Sequence, residues 1–213
     1  MKKTLALLAL AGALPLAAQS FEVGALYTWN PGHANTVSVG GPSSEIKADT
    51  WKAAGLRVGY NFVSVGPMEF QGNATMQFNN KQDITVNGQS APAPGSFTEE
   101  YKYWAVGAAV NWNFLVRLGV GLEYRSERLH FNQSYAGVTQ YDGATTYGRA
   151  WVRGTAGFTI PAPFVKPFIG AEVAFPLSTK SLTADDLLTN NIDNLNKSLA
   201  PKAQYGIYAG IRF

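Results

Sequence analysis

Tyr205-Gly206-Ile207-Tyr208-Ala209-Gly210-Ile211-Arg212-Phe213 closes the chain. Tyr205, Ile207, Ala209, Ile211 and Phe213 alternate strictly with Gly206, Tyr208, Gly210 and Arg212. Successive side chains of a β-strand point to opposite faces, so this period of two predicts a strand with one apolar and one polar face. Aromatic rings stand at both ends of the apolar face.

Seven further segments show the same alternation: 21–30, 51–63, 67–79, 101–113, 116–129, 146–160 and 165–177. The third strand, 67–79, is the cleanest: Met68, Phe70, Gly72, Ala74, Met76 and Phe78 share one face, and Glu69, Gln71, Asn73, Thr75 and Gln77 the other. A transmembrane β-strand needs about 9–11 residues, which these segments supply. Their connections alternate in length. Ser64-Val65-Gly66, Phe114-Leu115 and Pro161-Ala162-Pro163-Phe164 are short, whereas those after strands one, three, five and seven are long and rich in Asn, Gly, Pro, Ser and Asp.

Charge separates the two faces. Every second residue from Phe21 to Trp29, Ala54 to Phe62, Met68 to Phe78, Trp104 to Phe114, Leu118 to Tyr124, Gly148 to Ile160, Ile169 to Phe175 and Tyr205 to Phe213 is uncharged, in a chain that is 15% charged. An Arg or Lys facing the middle of a bilayer costs about 2–4 kcal/mol, which accounts for the exclusion. Aromatics gather at the segment ends: Trp29, Trp51, Trp104, Tyr124, Phe175 and Tyr205 at one level, Phe21, Phe62, Trp112, Phe114, Phe158 and Phe213 at the other. Two such girdles mark the two interfaces of a membrane barrel. A soluble, lipocalin-like barrel would keep its apolar face inside and has no use for them. The expected fold is all-β: an eight-stranded antiparallel up-and-down transmembrane β-barrel over 21–213. It must close, because lipid offers no partner to unpaired backbone groups.

Residues 1–20 read as a secretory signal. Lys2 and Lys3 precede an apolar run from Leu5 to Leu16, and Ala18-Gln19-Ser20 fits a cleavage site. That run is shorter than the roughly 20 residues of a spanning helix. Of 17 basic residues two belong to this leader, against 14 acidic ones, so the basic balance is no argument for a nucleic-acid partner. The absence of cysteine excludes thiol catalysis, thiolate metal sites and a lipid-anchored lipoprotein. With only two histidines, no metal-ligand spacing is present, and no cofactor motif is found.

The inward faces carry charges of both signs. Arg57, Glu123, Arg125, Arg149, Arg153 and Glu172 are expected to form an interior salt-bridge network, with Arg153 held between Glu123 and Glu172. Glu22, Arg212, Glu69 and Arg117 are expected to pair near the periplasmic end. All these cations are arginine, whose planar guanidinium pairs bidentately and keeps its charge when desolvated. An eight-stranded barrel is barely wide enough inside for its own side chains. The cluster therefore reads as a packed plug, or alternatively as the gate of a narrow pore. Inward glycines such as Gly24, Gly170 and Gly210 leave either water-filled pockets or room for large side chains.

Signal, strand count, loop asymmetry, girdles and terminal Phe213 together resemble the small eight-stranded bacterial outer-membrane barrels, the group of the OmpA transmembrane domain, OmpX and OmpW. The resemblance implies an outer-membrane location, lipid and lipopolysaccharide as surroundings, and a monomer. It also implies that Tyr205, Ile207, Ile211 and Phe213 form the signal read by the barrel assembly machinery. OmpW-like members have a more apolar lumen than these charges suggest. Two enzyme families share the architecture. Lipid A deacylases of the PagL type use a close Ser and His on the outer surface; here Ser126 and His130 are four residues apart, roughly 13 Å along a strand, beyond the reach a nucleophile and base need. PagP-type acyltransferases use a His, Asp and Ser near the outer rim, where His33 lies in a loop. The expectation is a non-enzymatic structural and surface-interaction barrel, with a narrow solute pore as the alternative and a lipid A-modifying enzyme as a remote one.

Two outer loops carry structure. Thr183-Ala184-Asp185-Asp186 resembles a capping box, and Leu188, Ile192, Leu195 and Leu199 follow at helical spacing before Pro201. A short amphipathic helix is expected there, its leucines over the barrel mouth or the membrane surface, or acting as a lid. Asp83-Ile84-Thr85-Val86-Asn87-Gly88 is expected to extend a hairpin above the membrane, with edges open to strand addition.

Overall fold

A computed structural model describes residues 20–32, 34–38, 43–189 and 191–213. The expected leader, apart from Ser20, and His33 lie outside the described residues. The strands in chain order are β1 (Ser20–Asn30), β2 (Ala34–Ser38), β3 (Ser43–Ala48), β4 (Trp51–Val65), β5 (Met68–Val86), β6 (Gly95–Asn113), β7 (Arg117–Tyr135), β8 (Val138–Thr159), β9 (Lys166–Pro176) and β10 (Gln204–Arg212). Antiparallel pairing runs β1–β4–β5–β6–β7–β8–β9–β10 and returns to β1, a ring of eight strands. The terminal strand makes the closure: Tyr205 pairs with Trp29, Ile207 with Tyr27 and Ile211 with Val23, and the Phe213 N–H donates to the Phe21 carbonyl at 2.9 Å.

The alternation read from the sequence sets which way each side chain points. Trp104, Val120, Leu122 and Ile207 are each about half exposed, at 53, 55, 59 and 51%, on an outer surface that is apolar all round. An exposed apolar belt of this size belongs in lipid, not water. Trp51 is the exception among the expected girdle aromatics: it is fully buried and points inward. It opens β4 at the level of the mouth, where the interior becomes apolar and can accept an indole.

The wall is much taller on one side. Strands β5 to β8 run 19, 19, 19 and 22 residues, against 11, 11 and 9 for β1, β9 and β10. Above the outer girdle the outward positions turn polar (Lys102, Arg128, His130), which is why a search for apolar outward faces ends the strands too early. The connection after the fifth barrel strand is thus no long loop. Strands β7 and β8 meet at Ala136 and Gly137, with φ of +51 and +78°, a two-residue hairpin turn. Asn87 and Gly88, at +52 and +74°, turn the top of β5 in the same way. The edge of β5 there is already taken by the chain itself, because β3 pairs with Ile84 to Val86.

Among the described residues the fourth outer connection holds two helices where one was expected, α1 (Ala184–Leu188) and α2 (Ile192–Leu199). The capping box forms: the Asp186 N–H donates to Thr183 Oγ1 at 3.3 Å, and the Thr183 N–H donates to Asp186 Oδ2 at 2.9 Å. The break between them is local chemistry. Asn191 turns its side chain onto the Asn194 N–H at 3.1 Å and starts a new helix, as a short polar residue does when it competes for the backbone.

Candidate functional site

The lumen is filled in layers, and each layer takes its charges from inward positions of different strands. In the lowest, Glu22 Oε1 accepts from Arg117 at 2.5 Å and forms an ion pair with Arg212 at 2.5 Å, while Glu69 Oε2 accepts from Arg117 at 3.1 Å. Gln71 donates to the second Glu22 oxygen at 2.8 Å. These four charges balance.

In the middle layer Glu123 accepts from Arg125 Nε at 2.6 Å and from Arg153 Nη1 at 2.8 Å. Glu172 takes Arg57 Nη1 at 2.5 Å and Gln204 Nε2 at 3.0 Å. Arg153 thus pairs with one of its two expected carboxylates: Glu172 turns to Arg57 instead, across the barrel from strand β4. The reason is geometric, since a carboxylate in a narrow lumen is reached as readily across the barrel as from the neighbouring strand. Arg125 is fully buried, with its guanidinium 3.9 Å from the Trp151 ring centre and 4.3 Å from that of Tyr103. Such stacking lets a cation lose its water without losing all its favourable contacts.

Arg149 stands apart, in an upper layer with Glu127. Its Nε donates to Glu127 at 2.6 Å, and its Nη2 to the Pro201 carbonyl at 3.0 Å. Tyr101 donates its hydroxyl to the same Glu127 at 2.9 Å. Glu127 was missed in the sequence, although it continues the inward parity of Glu123 and Arg125; its position past the girdle hid it.

Above that layer the interior is apolar. Ala48, Trp51, Ile84, Tyr101, Leu129 and Phe131 form a buried cluster that receives Leu199 and Ala200 from the end of α2. Asn196 of α2 donates to Thr145 Oγ1 at 3.0 Å, and Asn35 of β2 donates to the Ser198 carbonyl at 3.1 Å. The helix therefore lies over the mouth and inside the tall wall, with Leu199 at 0% exposure, whereas Leu188 on α1 is 65% exposed. Glycines make room below: a Cβ on Gly157 or Gly170 would stand 2.6 or 2.5 Å from the Tyr208 hydroxyl, so the ring fills the space they leave.

Glu99 is the second inward residue that sequence reading missed, because β6 was expected to begin two residues later. It is fully buried, both its oxygens lack a hydrogen-bond partner, and burial alone pushes its carboxyl well above the ordinary value of 4.5. Glu99 lies five residues beyond Trp104, so it stands outside the apolar belt. The folded protein holds this proton to higher pH than the unfolded chain does. Its contribution to stability is full below about pH 4.5 and is lost as pH rises towards the folded pKa. Glu99→Gln is therefore expected to match wild type at pH 4 and to be more stable at pH 8. Urea midpoints at the two pH values check this; equal midpoints at pH 8 would mean the carboxylate is not desolvated.

On the outer surface His130 has both ring nitrogens turned to carboxylates, Nε2 to Asp142 and Nδ1 to Glu100 at 3.7 Å. Among the described residues, no three His, Asp or Glu side chains cluster as metal ligands.

No family model and no curated protein matches the chain. Solved structures do match. Neisserial surface protein A (NspA) is 12% identical, with a TM-score of 0.51 over 92% of this chain and 96% of that one. Ail, the attachment invasion locus protein of Yersinia pestis, is 15% identical at 0.49 over 91% and 98%. The outer membrane protein OprG from Pseudomonas aeruginosa is 11% identical at 0.48 over 92% and 96%. Strand ring, apolar belt, polar lumen and the likeness to NspA agree: the chain has the fold of the small eight-stranded outer-membrane β-barrels.

Proposed function

We propose that this protein is a closed, non-enzymatic barrel of the bacterial outer membrane. It stabilises that membrane and presents a tall outer wall to the surroundings. One observation carries the reading: the lumen is blocked at every level, by two layers of arginine–glutamate pairs, by the Arg149–Glu127 pair and by a helix seated in an apolar mouth. The cavity between the lower layers has a volume of about 40 Å³, room for water but not for a larger solute.

The outer-surface histidine does not offer a nucleophile–base pair: both nitrogens of His130 are turned to carboxylates, and Ser126 stands four residues away along the same strand, beyond the reach such a pair needs. The surroundings of such a barrel are outer-membrane lipid and lipopolysaccharide, and its terminal strand, with Tyr205, Ile207, Ile211 and Phe213, suits recognition by the barrel assembly machinery. The barrel acts as a monomer, without cofactor or nucleic acid.

The test is conductance. Mature protein refolded into planar bilayers is expected to show no steady current, in wild type and in Arg153→Ala alike, because the other layers still block the lumen. A steady wild-type current that changes in Arg153→Ala would make the plug a gate and the protein a narrow pore.

A further inference from the structure

Between the lower and middle layers lies the cavity of about 40 Å³, lined by Arg57, Arg117, Arg153, Asn111 and Tyr208 together with one carboxylate, Glu22. Glu22 is already committed, one oxygen to Arg117 and Arg212 and the other to Gln71. Each of the three arginines keeps a buried N–H without a partner: Nη2 of Arg57, Nε of Arg117 and Nε of Arg153. The Asn111 amide nitrogen is buried and unpartnered as well. The lining thus offers donors in excess of acceptors.

The charge count points the same way. In the lowest layer Arg117 and Arg212 are matched by Glu22 and Glu69, and in the upper layer Arg149 by Glu127. The middle layer sets Arg57, Arg125 and Arg153 against only Glu123 and Glu172. Glu99 does not redress this, since it makes no ion pair with any described residue and lies in the wall above the girdle, opposite Phe131. A guanidinium does not shed its proton in a protein, so one positive charge stays buried without a counter-charge, which is costly. Water satisfies N–H groups but brings no charge. A divalent oxyanion overshoots the single unit needed.

We propose that this cavity is a binding site for one small monovalent inorganic anion of the halide type, held by the free N–H groups of Arg57, Arg153 and Asn111. The volume suits it, because about 10–15 Å³ of such space already holds a water. The ion completes the plug as a structural counter-ion.

An anion that binds only the folded state stabilises it by mass action. Urea unfolding of the refolded mature protein in detergent micelles, at constant ionic strength with chloride exchanged for gluconate, reads this directly. The unfolding equilibrium constant is expected to fall about tenfold for each tenfold rise in chloride above the dissociation constant, and bromide should substitute. Asn111→Asp places a fixed negative charge in the cavity and is expected to remove the chloride dependence. Crystals grown in bromide should show an anomalous peak between Arg57 and Arg153. A midpoint indifferent to chloride against gluconate, an Asn111→Asp variant with wild-type chloride dependence, or a cavity without bromide would each overturn the site. None of these results touches the closed-lumen reading, which rests on the layers themselves.

Discussion

Replacing Glu123 by Gln is expected to lower the stability of the folded barrel by about 3–5 kcal/mol, the range seen when one partner of a buried ion pair is removed. Glu123 is 3% exposed and accepts from both Arg125 and Arg153. Its loss leaves those two guanidinium groups beside Arg57 with Glu172 as the one remaining carboxylate of the layer. Arg153→Ala should cost distinctly less. Glu123 then keeps Arg125, and Glu172 keeps Arg57 and Gln204, so no carboxylate is orphaned. Urea midpoints of the refolded variants measure both. An unchanged midpoint in Glu123→Gln would refute the network, and a larger loss in Arg153→Ala than in Glu123→Gln would place its centre at the wrong residue.

Leu199→Ala is expected to loosen the cap by about 2–5 kcal/mol, as truncating a buried leucine does when the site cannot collapse around the gap. Leu199 is fully buried in a cluster with Trp51, Tyr101 and Leu129, which belong to a rigid wall and cannot move in to fill the space. At 1.4 kcal/mol per factor of ten, hydrogen exchange of the amides in 192–199 should speed up about 30-fold or more, while amides of β7 and β8 below the girdle stay protected. Equal exchange in wild type and variant would mean the helix is not held by this contact. Conductance should remain absent, because the charged layers lie beneath the cap.

How far the sequence reaches can be judged strand by strand. The inward or outward choice was legible for every barrel strand, since lipid on one side and a narrow polar lumen on the other enforce opposite chemistry at adjacent residues. That contrast vanishes above the outer girdle, where both faces meet water or protein. Strand ends, the hairpin at Ala136-Gly137 and Glu99 lie in that zone and escaped the pattern, whereas Glu127 and Trp51 keep the inward parity of their strands and were overlooked because they stand past the girdle.

The candidate site divides along the same line. Alternation by itself determined that Arg57, Glu123, Arg125, Arg153 and Glu172 share the lumen, because a period of two needs no knowledge of neighbours. Which arginine meets which carboxylate was decided only by the closed barrel, where shear and side-chain length bring Arg57 across to Glu172 and leave Arg153 with Glu123 alone. The helix was likewise legible from its capping box and leucine spacing, yet a leucine stripe suits a membrane surface as well as a core. Only the tertiary structure, with a wall taller on one side and an apolar mouth inside it, seats Leu199 over the lumen. Local periodicity is set by the nearest solvent. Partner choice inside a ring depends on distances that exist once the ring has closed.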